Sequence, residues 1–309
     1  MKSTVSTYEF LKRFPDEDTA RTHLEVRRWN GRPVCPSCAT DDRIQTRKVK
    51  GYFRCLACKT DFTVRTGTIF ERSHVPLDKW LYAMYLLATA RKGISSLQLS
   101  KELGVTQKTA WFMLQRIREA CGNDGVGGDG MLSGVVEADE TYIGGKEKNK
   151  HAHKKQNAGR GTVGKIAVLG MRQRGGKVFA TVLRNTSTKT IQNEVKKRVS
   201  AGSILCTDEH SSYVGVPYRH MTVNHSAKQF VDGMAHTNSI ESVWALLKRG
   251  FYGTYHKFTL KHLQRYVSEF TFRLNEGNCK IHSYDRIDAL IGKSFGARIT
   301  YKQLIGATA

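Results

Sequence analysis

Three acidic residues stand where carboxylates could act together: Asp139, Asp208 and Glu241. Asp139 closes the run Leu132-Ser-Gly-Val-Val-Glu-Ala-Asp, which reads as a buried strand. Asp208 follows Ser203-Ile-Leu-Cys-Thr, a second strand, and Glu241 lies in His236-Thr-Asn-Ser-Ile-Glu-Ser-Val-Trp-Ala-Leu-Leu-Lys248, a helix by its periodicity. Hard oxygen ligands at two strand ends, facing one on a helix, suit two Mg²⁺ ions. Such a pair can drive in-line displacement at a phosphodiester.

The elements that must position these groups follow from the same runs. Ile240, Val243, Trp244 and Leu247 fall at i, i+3, i+4 and i+7 and predict the buried stripe of the helix. Glu241 and Lys248 are two turns apart and so nearly aligned, which would suit a metal site beside a DNA backbone. Asn238, one turn before Glu241, reads as the helix cap, as a metal or substrate ligand, or as both. On the first strand, period two puts Glu137 on the face of Asp139, with Asp139 the better ligand because it is nearer the strand end. Glu140 should point the other way, and Glu209 reads as a surface charge. An Asp after a strand is usually only a turn residue. The order strand, strand, helix, however, matches a ribonuclease-H-like nuclease core.

A second constellation is independent of the first. Cys35-Pro-Ser-Cys38 and Cys55-Leu-Ala-Cys58 are separated by sixteen residues and flanked by strand formers, the pattern of a zinc ribbon. Four thiolates leave zinc no open position, so this Zn²⁺ is expected to be structural. Cys121, Cys206 and Cys279 are isolated and read as small core hydrophobes. Arg54, Lys59 and Arg65 near the ribbon could meet phosphate or simply form a solvated face.

Between the two constellations, residues 95–118 have the grammar of a helix-turn-helix. A first helix closes at Leu103, Gly104 turns the chain, and Thr106 caps a second helix with Ala110, Leu114 and Ile117 buried. Gln107, Lys108 and Thr109 then stand exposed at its N-terminal end, where a recognition helix meets base edges. The formal charge of +23 on 309 residues points to a polyanionic partner, most simply nucleic acid. Lys146–Arg160, with Lys154, Lys155 and Arg160, is too polar to pack and reads as a loop that orders on DNA phosphates rather than a metal site at His151 and His153. No apolar run reaches membrane-spanning length and the start lacks a signal-peptide core, so a cytoplasmic, nucleoid-associated protein is expected.

Three blocks carry a family resemblance: Glu137-Ala-Asp-Glu-Thr-Tyr-Ile-Gly-Gly-Lys146, Thr207-Asp-Glu-His-Ser-Ser-Tyr213, and His236 to Lys248 with the following Arg249-Gly-Phe-Tyr-Gly-Thr-Tyr-His256. Together with the cysteine pairs, the chain resembles the DDE transposases of bacterial insertion sequences that carry an N-terminal zinc ribbon, the ISXO-type group. That resemblance implies a ribonuclease-H-like catalytic domain, two Mg²⁺ ions (Mn²⁺ substituting), and cutting and joining at the element's own terminal repeats. It makes Asp139, Asp208 and Glu241 the metal-binding triad and Lys248 a DNA contact. Some relatives carry asparagine at the third position, which keeps Asn238 beside Glu241 as a candidate.

The expectation is therefore a multidomain α+β chain. It has an N-terminal helix and zinc ribbon (1–70), a helix-turn-helix region (71–121), a glycine-rich linker (122–130), a ribonuclease-H-like catalytic domain (131–285) and a C-terminal tail (286–309). Its partner would be double-stranded DNA, at the element ends and the target site, bound as a homo-oligomer. The alternative is a zinc-ribbon and helix-turn-helix regulator whose nuclease-like domain is inactive.

Overall fold

A computed structural model describes residues 4–122, 131–145, 151, 153, 155, 164–223, 236–256 and 258–306. The chain divides into two compact units, Met1–Gly125 with Glu276–Ala309, and Val126–Asn275.

The first unit begins with two helices broken at Pro15. α1 (Thr7–Arg13) starts in a Ser6/Glu9 capping box, and α2 (Glu17–Trp29) is capped by Asp16, whose carboxylate accepts from the Thr19 amide. Strands β1 (Ile44–Thr46), β2 (Tyr52–Cys55) and β3 (Asp61–Thr63) form a small antiparallel sheet in that order. α3 (Leu77–Thr89) precedes α4 (Ser96–Leu103) and α5 (Gln107–Cys121). Gly104 ends α4 in the left-handed region at φ 63°, and the Thr106 side chain accepts from the Thr109 amide to open α5. The helix, turn and cap thus stand where the sequence places them. Ala110, Leu114 and Ile117 are buried.

The second unit is a five-stranded mixed sheet between helices. Its strands are β4 (Val135–Ile143), β5 (Ile166–Gln173), β6 (Val178–Val182), β7 (Ile204–Asp208) and β8 (Arg219–Val223), in the spatial order β6-β5-β4-β7-β8. β4, β5 and β6 run antiparallel as a meander, whereas β7 and β8 join parallel to β4. The parallel return from β6 to β7 needs a crossover, supplied by α6 (Thr188–Arg198). α6 seals one face with Ile191 and Val195 against Val136, Ala138, Leu169 and Leu205. On the other face α7 (Asn238–Gly250) and α8 (Leu263–Leu274) bury Ile240, Val243, Trp244, Leu247, Val267 and Phe270 against Val168, Val178 and Ala180. The expected stripe of α7 is the buried one. β8 was not anticipated from Arg219-His-Met-Thr-Val, a short edge strand with little apolar alternation.

The chain then returns to the first unit. α9 (Ser283–Ser294) packs on α2, α3 and α5, and α10 (Tyr301–Ile305) follows. Residues 276–285 and 286–309, expected as the end of the catalytic domain and a tail, therefore belong with the first unit. Buried Ser283, Arg286 and Ser294 interrupt the apolar stripe of Ile287, Leu290 and Ile291, which hides the helix in the sequence. Two of these polar groups find distant partners: Ser283 accepts from the Val5 amide at 3.1 Å and Arg286 donates to the Ala88 carbonyl at 3.1 Å. Cys121 and Cys206 are buried as expected, but Cys279 is exposed. Among the described residues no helix is long and apolar enough to cross a membrane.

Candidate active site and zinc site

The four ribbon cysteines converge on one point. Their sulfurs lie within 4.8 Å of one another, with Cys35–Cys58 at 3.6 Å and Cys38–Cys55 at 3.5 Å. A tetrahedron with Zn–S near 2.3 Å places sulfurs about 3.8 Å apart, so the set fits Zn²⁺. Each knuckle is shaped alike: the amides of Cys35 and Cys55 donate to the carbonyls of Thr40 and Thr60, and Ala39 and Lys59 take left-handed backbone at φ 58° and 61°. Trp29, Phe53 and Phe62 pack edge-to-face and stacked beside the sheet. Of the nearby cations, Arg54 pairs with Asp61, and Arg65 bonds Glu17 and the Ser73 and Val75 carbonyls.

The carboxylate site is assembled differently. Register pairs Glu137 on β4 with Cys206 on β7, and two residues further along each strand stand Asp139 and Asp208. Asp139 is the fifth of nine residues in β4, so it is not at a strand end as expected. The β4–β7 ladder stops at Glu137–Cys206, and the two chains part there. A cavity of about 560 Å³ opens at this point, lined by Asp139, Glu140, Thr141, Asp208, Thr237, Glu241, Trp244, Ala245 and Lys248. The structure thus brings the three acids and Lys248 together.

What fixes α7 over the sheet is Glu137. Its carboxylate is fully buried and accepts from the Ser239 and Ile240 amides at 2.8 and 3.1 Å, while Arg174 donates to it at 2.8 Å. A buried anion at a helix N-terminus meets both the unpaired amides and the positive end of the dipole. Arg172 adds bonds to the Ser239 carbonyl and the Ser242 hydroxyl at 2.8 and 2.9 Å. Asn238 is therefore not the cap: Thr237 holds that position, and the amides of the first turn are served from β4. Asn238 is exposed and does not line the cavity. Thr237 instead donates its hydroxyl to Glu241 at 3.1 Å.

Both oxygens of Asp139 are held, Oδ1 by the Glu140 amide at 2.8 Å and Oδ2 by Trp244 Nε1 at 2.9 Å. Burial, then the negative charges of Asp208 and Glu241, push the Asp139 carboxyl up to about 6, despite the Trp244 bond. Glu140 was expected on the far face, and its side chain does take the Tyr213 hydroxyl there at 2.7 Å. Residue 140 is nonetheless part of the cavity lining. Burial, and then Asp139 and Asp208, raise Glu140 to about 7. Asp208 accepts from the His210 amide at 3.1 Å. An all-oxygen set of clustered carboxylates fits a hard divalent cation. The three acids border the cavity rather than meet at one point. Among the described residues, only the four cysteines bring three or more such ligand atoms within 4.8 Å.

Of the residues expected to meet DNA, Gln107 and Lys108 are exposed and Thr109 half-buried at the start of α5. Gln107 donates to Ser96 at 2.7 Å, and the Lys108 ammonium lies 5.4 Å from the Tyr301 ring of α10. Lys155 is exposed, whereas Lys154, Arg160 and most of the 122–130 linker lie outside the described residues. Sequence reasoning missed Trp244 Nε1, Gly170 and Thr237. Only Gly170, set inside an apolar strand, carried a signal.

Comparison with known proteins finds two matching domains. Residues 131–275 match the ISXO2-like transposase domain and residues 15–61 the transposase zinc-ribbon domain. The chain belongs to this transposase family. Over 254 residues it is 28% identical to an uncharacterized protein in transposable element ISH50 of Halobacterium salinarum, covering 77% of this chain and 84% of that one. Among solved structures, a pre-cleavage Mos1 transpososome is similar at TM-score 0.30 and 12% identity, over 67% of this chain and 75% of that chain. The simian T-cell lymphotropic virus intasome in complex with PP2A regulatory subunit B56 gamma is similar at TM-score 0.28 and 14% identity, over 58% of this chain. The match spans 64% of that chain, less than two thirds. Likeness at that level is too distant to carry an argument.

Proposed function

We propose that this transposase cleaves DNA at the ends of its own element and joins them to a target, using Asp139, Asp208 and Glu241 as metal ligands. The observation that carries the reading is that three acids from β4, β7 and α7 border one cavity together with Lys248. The strand order β6-β5-β4-β7-β8, with a meander and two parallel strands, supports a ribonuclease-H-like core. Bound at the triad, two Mg²⁺ ions would activate water, or later a 3′-hydroxyl, and stabilise charge on the leaving oxygen. Thr237 orients Glu241, and Trp244 orients Asp139. Lys248, exposed at the cavity rim, meets a backbone phosphate. Asn238, exposed and outside the cavity lining, is not given a ligand role. Four cysteines hold structural Zn²⁺ and stabilise the ribbon. The N-terminal residues of α5, with Lys155 and its basic neighbours, bind double-stranded DNA, so the protein works in the cytoplasm at the nucleoid. Bringing two element ends together calls for a homo-oligomer on DNA.

The test is strand cleavage of a DNA carrying the element's ends, with Mg²⁺, comparing wild type with Asp208→Ala. Cleavage at the repeat boundary should fall about a thousandfold or more in the variant, with DNA binding retained. Specific binding with no cleavage by wild type under any divalent cation would leave a DNA-binding regulator instead.

A further inference from the structure

Trp244 does more than fill the core between α7 and the sheet. We propose that its indole N–H is the positioning group for Asp139, aiming the carboxylate at the cation, and that Gly170 exists to admit the ring. The proposal rests on the metal-site reading above. Gly170 on β5 is the register partner of Asp139 on β4. A Cβ there would lie 2.5 Å from two indole carbons of Trp244 and 2.9 Å from Ile240 Cδ1. Glycine inside a strand is unfavourable unless another group must approach closely, and here the approaching group is the indole. The ring then reaches Asp139 Oδ2 at 2.9 Å while the Glu140 amide holds Oδ1 at 2.8 Å.

Two donors on opposite oxygens fix the carboxylate plane, since rotation about the Cβ–Cγ bond would break both. An ionised carboxylate has about four lone-pair sites, so half remain for a cation. Packing alone would be met by phenylalanine or leucine at 244. The N–H is what aromatic volume does not supply. Partners that orient a metal ligand typically matter tenfold to a hundredfold in metal affinity.

The test is Mn²⁺ binding to the full chain without DNA, by calorimetry, for wild type, Trp244→Phe and Asp208→Ala. Trp244→Phe keeps an aromatic ring but removes the N–H. It should bind Mn²⁺ at least about tenfold more weakly while its melting curve without added Mn²⁺ stays close to wild type. Unchanged affinity in Trp244→Phe, with binding lost in Asp208→Ala, overturns the positioning role and leaves the metal site standing. Equal binding by wild type and Asp208→Ala overturns the metal-site reading beneath it. Should Trp244→Phe fail to fold, the ¹⁵N-indole spectrum of the four tryptophans decides. One indole signal should move both on Mg²⁺ addition and in Asp139→Asn. If none responds, the proposal fails.

Discussion

The two sites of this chain solve the same problem, gathering anionic ligands, by opposite means. The four cysteines come from two short knuckles within 24 residues, Cys35 to Cys58, and their sulfurs already converge. The carboxylates come from β4, β7 and α7 and depend on supports that are not ligands: Glu137 for the helix, Trp244 for Asp139 and Thr237 for Glu241. A local site is closed and structural. A dispersed one leaves an open cavity, and burial with its neighbours' charges holds Asp139 at raised pKa.

That contrast makes the two sites differ most when their ions are withdrawn. Stripping zinc with a strong chelator should unfold the ribbon, because binding of structural Zn²⁺ supplies about 10–16 kcal/mol of apparent folding free energy in small zinc modules. Removing Mg²⁺ should leave the fold of the second unit intact. Thermal melts with each chelator, read alongside amide signals from β1–β3, would show it; a ribbon that stays folded without zinc breaks the comparison.

A smaller effect should follow from cutting one support of the dispersed site. Glu137→Ala strands Arg174 and the first-turn amides of α7, and loss of a buried ion-pair partner costs about 3–5 kcal/mol. Urea unfolding should show that loss, with Mg²⁺-dependent cleavage falling as well because Glu241 is no longer held over β4. A variant as stable as wild type would mean that α7 is pinned by its apolar stripe alone.

The smallest expected effect is on pH. Asp139 and Glu140 sit at about 6 and about 7 in the fold, above the ordinary values of 3.8 and 4.5. A raised folded-state pKa favours folding while the group is protonated. That contribution is complete below about pH 4 and is lost as pH rises through 6 to 7. Without added Mg²⁺, the second unit should therefore lose stability across about pH 4–7 in wild type and lose less in Asp139→Asn. Identical pH slopes for the two proteins would mean that the acids do not strain the metal-free site.

The same contrast governs what could be read from the sequence. The cysteine knuckles, the Leu103–Gly104–Thr106 turn and the Ile240/Val243/Trp244/Leu247 stripe were legible because each is set by neighbours a few residues away. Asp139, Asp208 and Glu241 could be named as candidates, but their meeting depends on the β4–β7 register, which no local pattern encodes. Alternation did place Glu140 on the face opposite Asp139, where Tyr213 bonds it, but its burial and the nearness of Asp208 are not encoded locally. Asn238 lost the cap to Thr237 because Glu137 serves the first turn from a strand about a hundred residues away, a long-range answer to unpaired helix amides. α9 was hidden by Ser283, Arg286 and Ser294, polar residues whose burial makes sense only against partners such as Val5 and Ala88.

The most direct test of the two-site account is anomalous scattering from crystals grown with Zn²⁺ and soaked in Mn²⁺, recorded on both sides of each metal's absorption edge. Zinc should appear among Cys35, Cys38, Cys55 and Cys58, and manganese in the cavity between Asp139, Asp208 and Glu241. Manganese bound elsewhere, with the carboxylate cavity empty in a protein that still cleaves DNA, would contradict it.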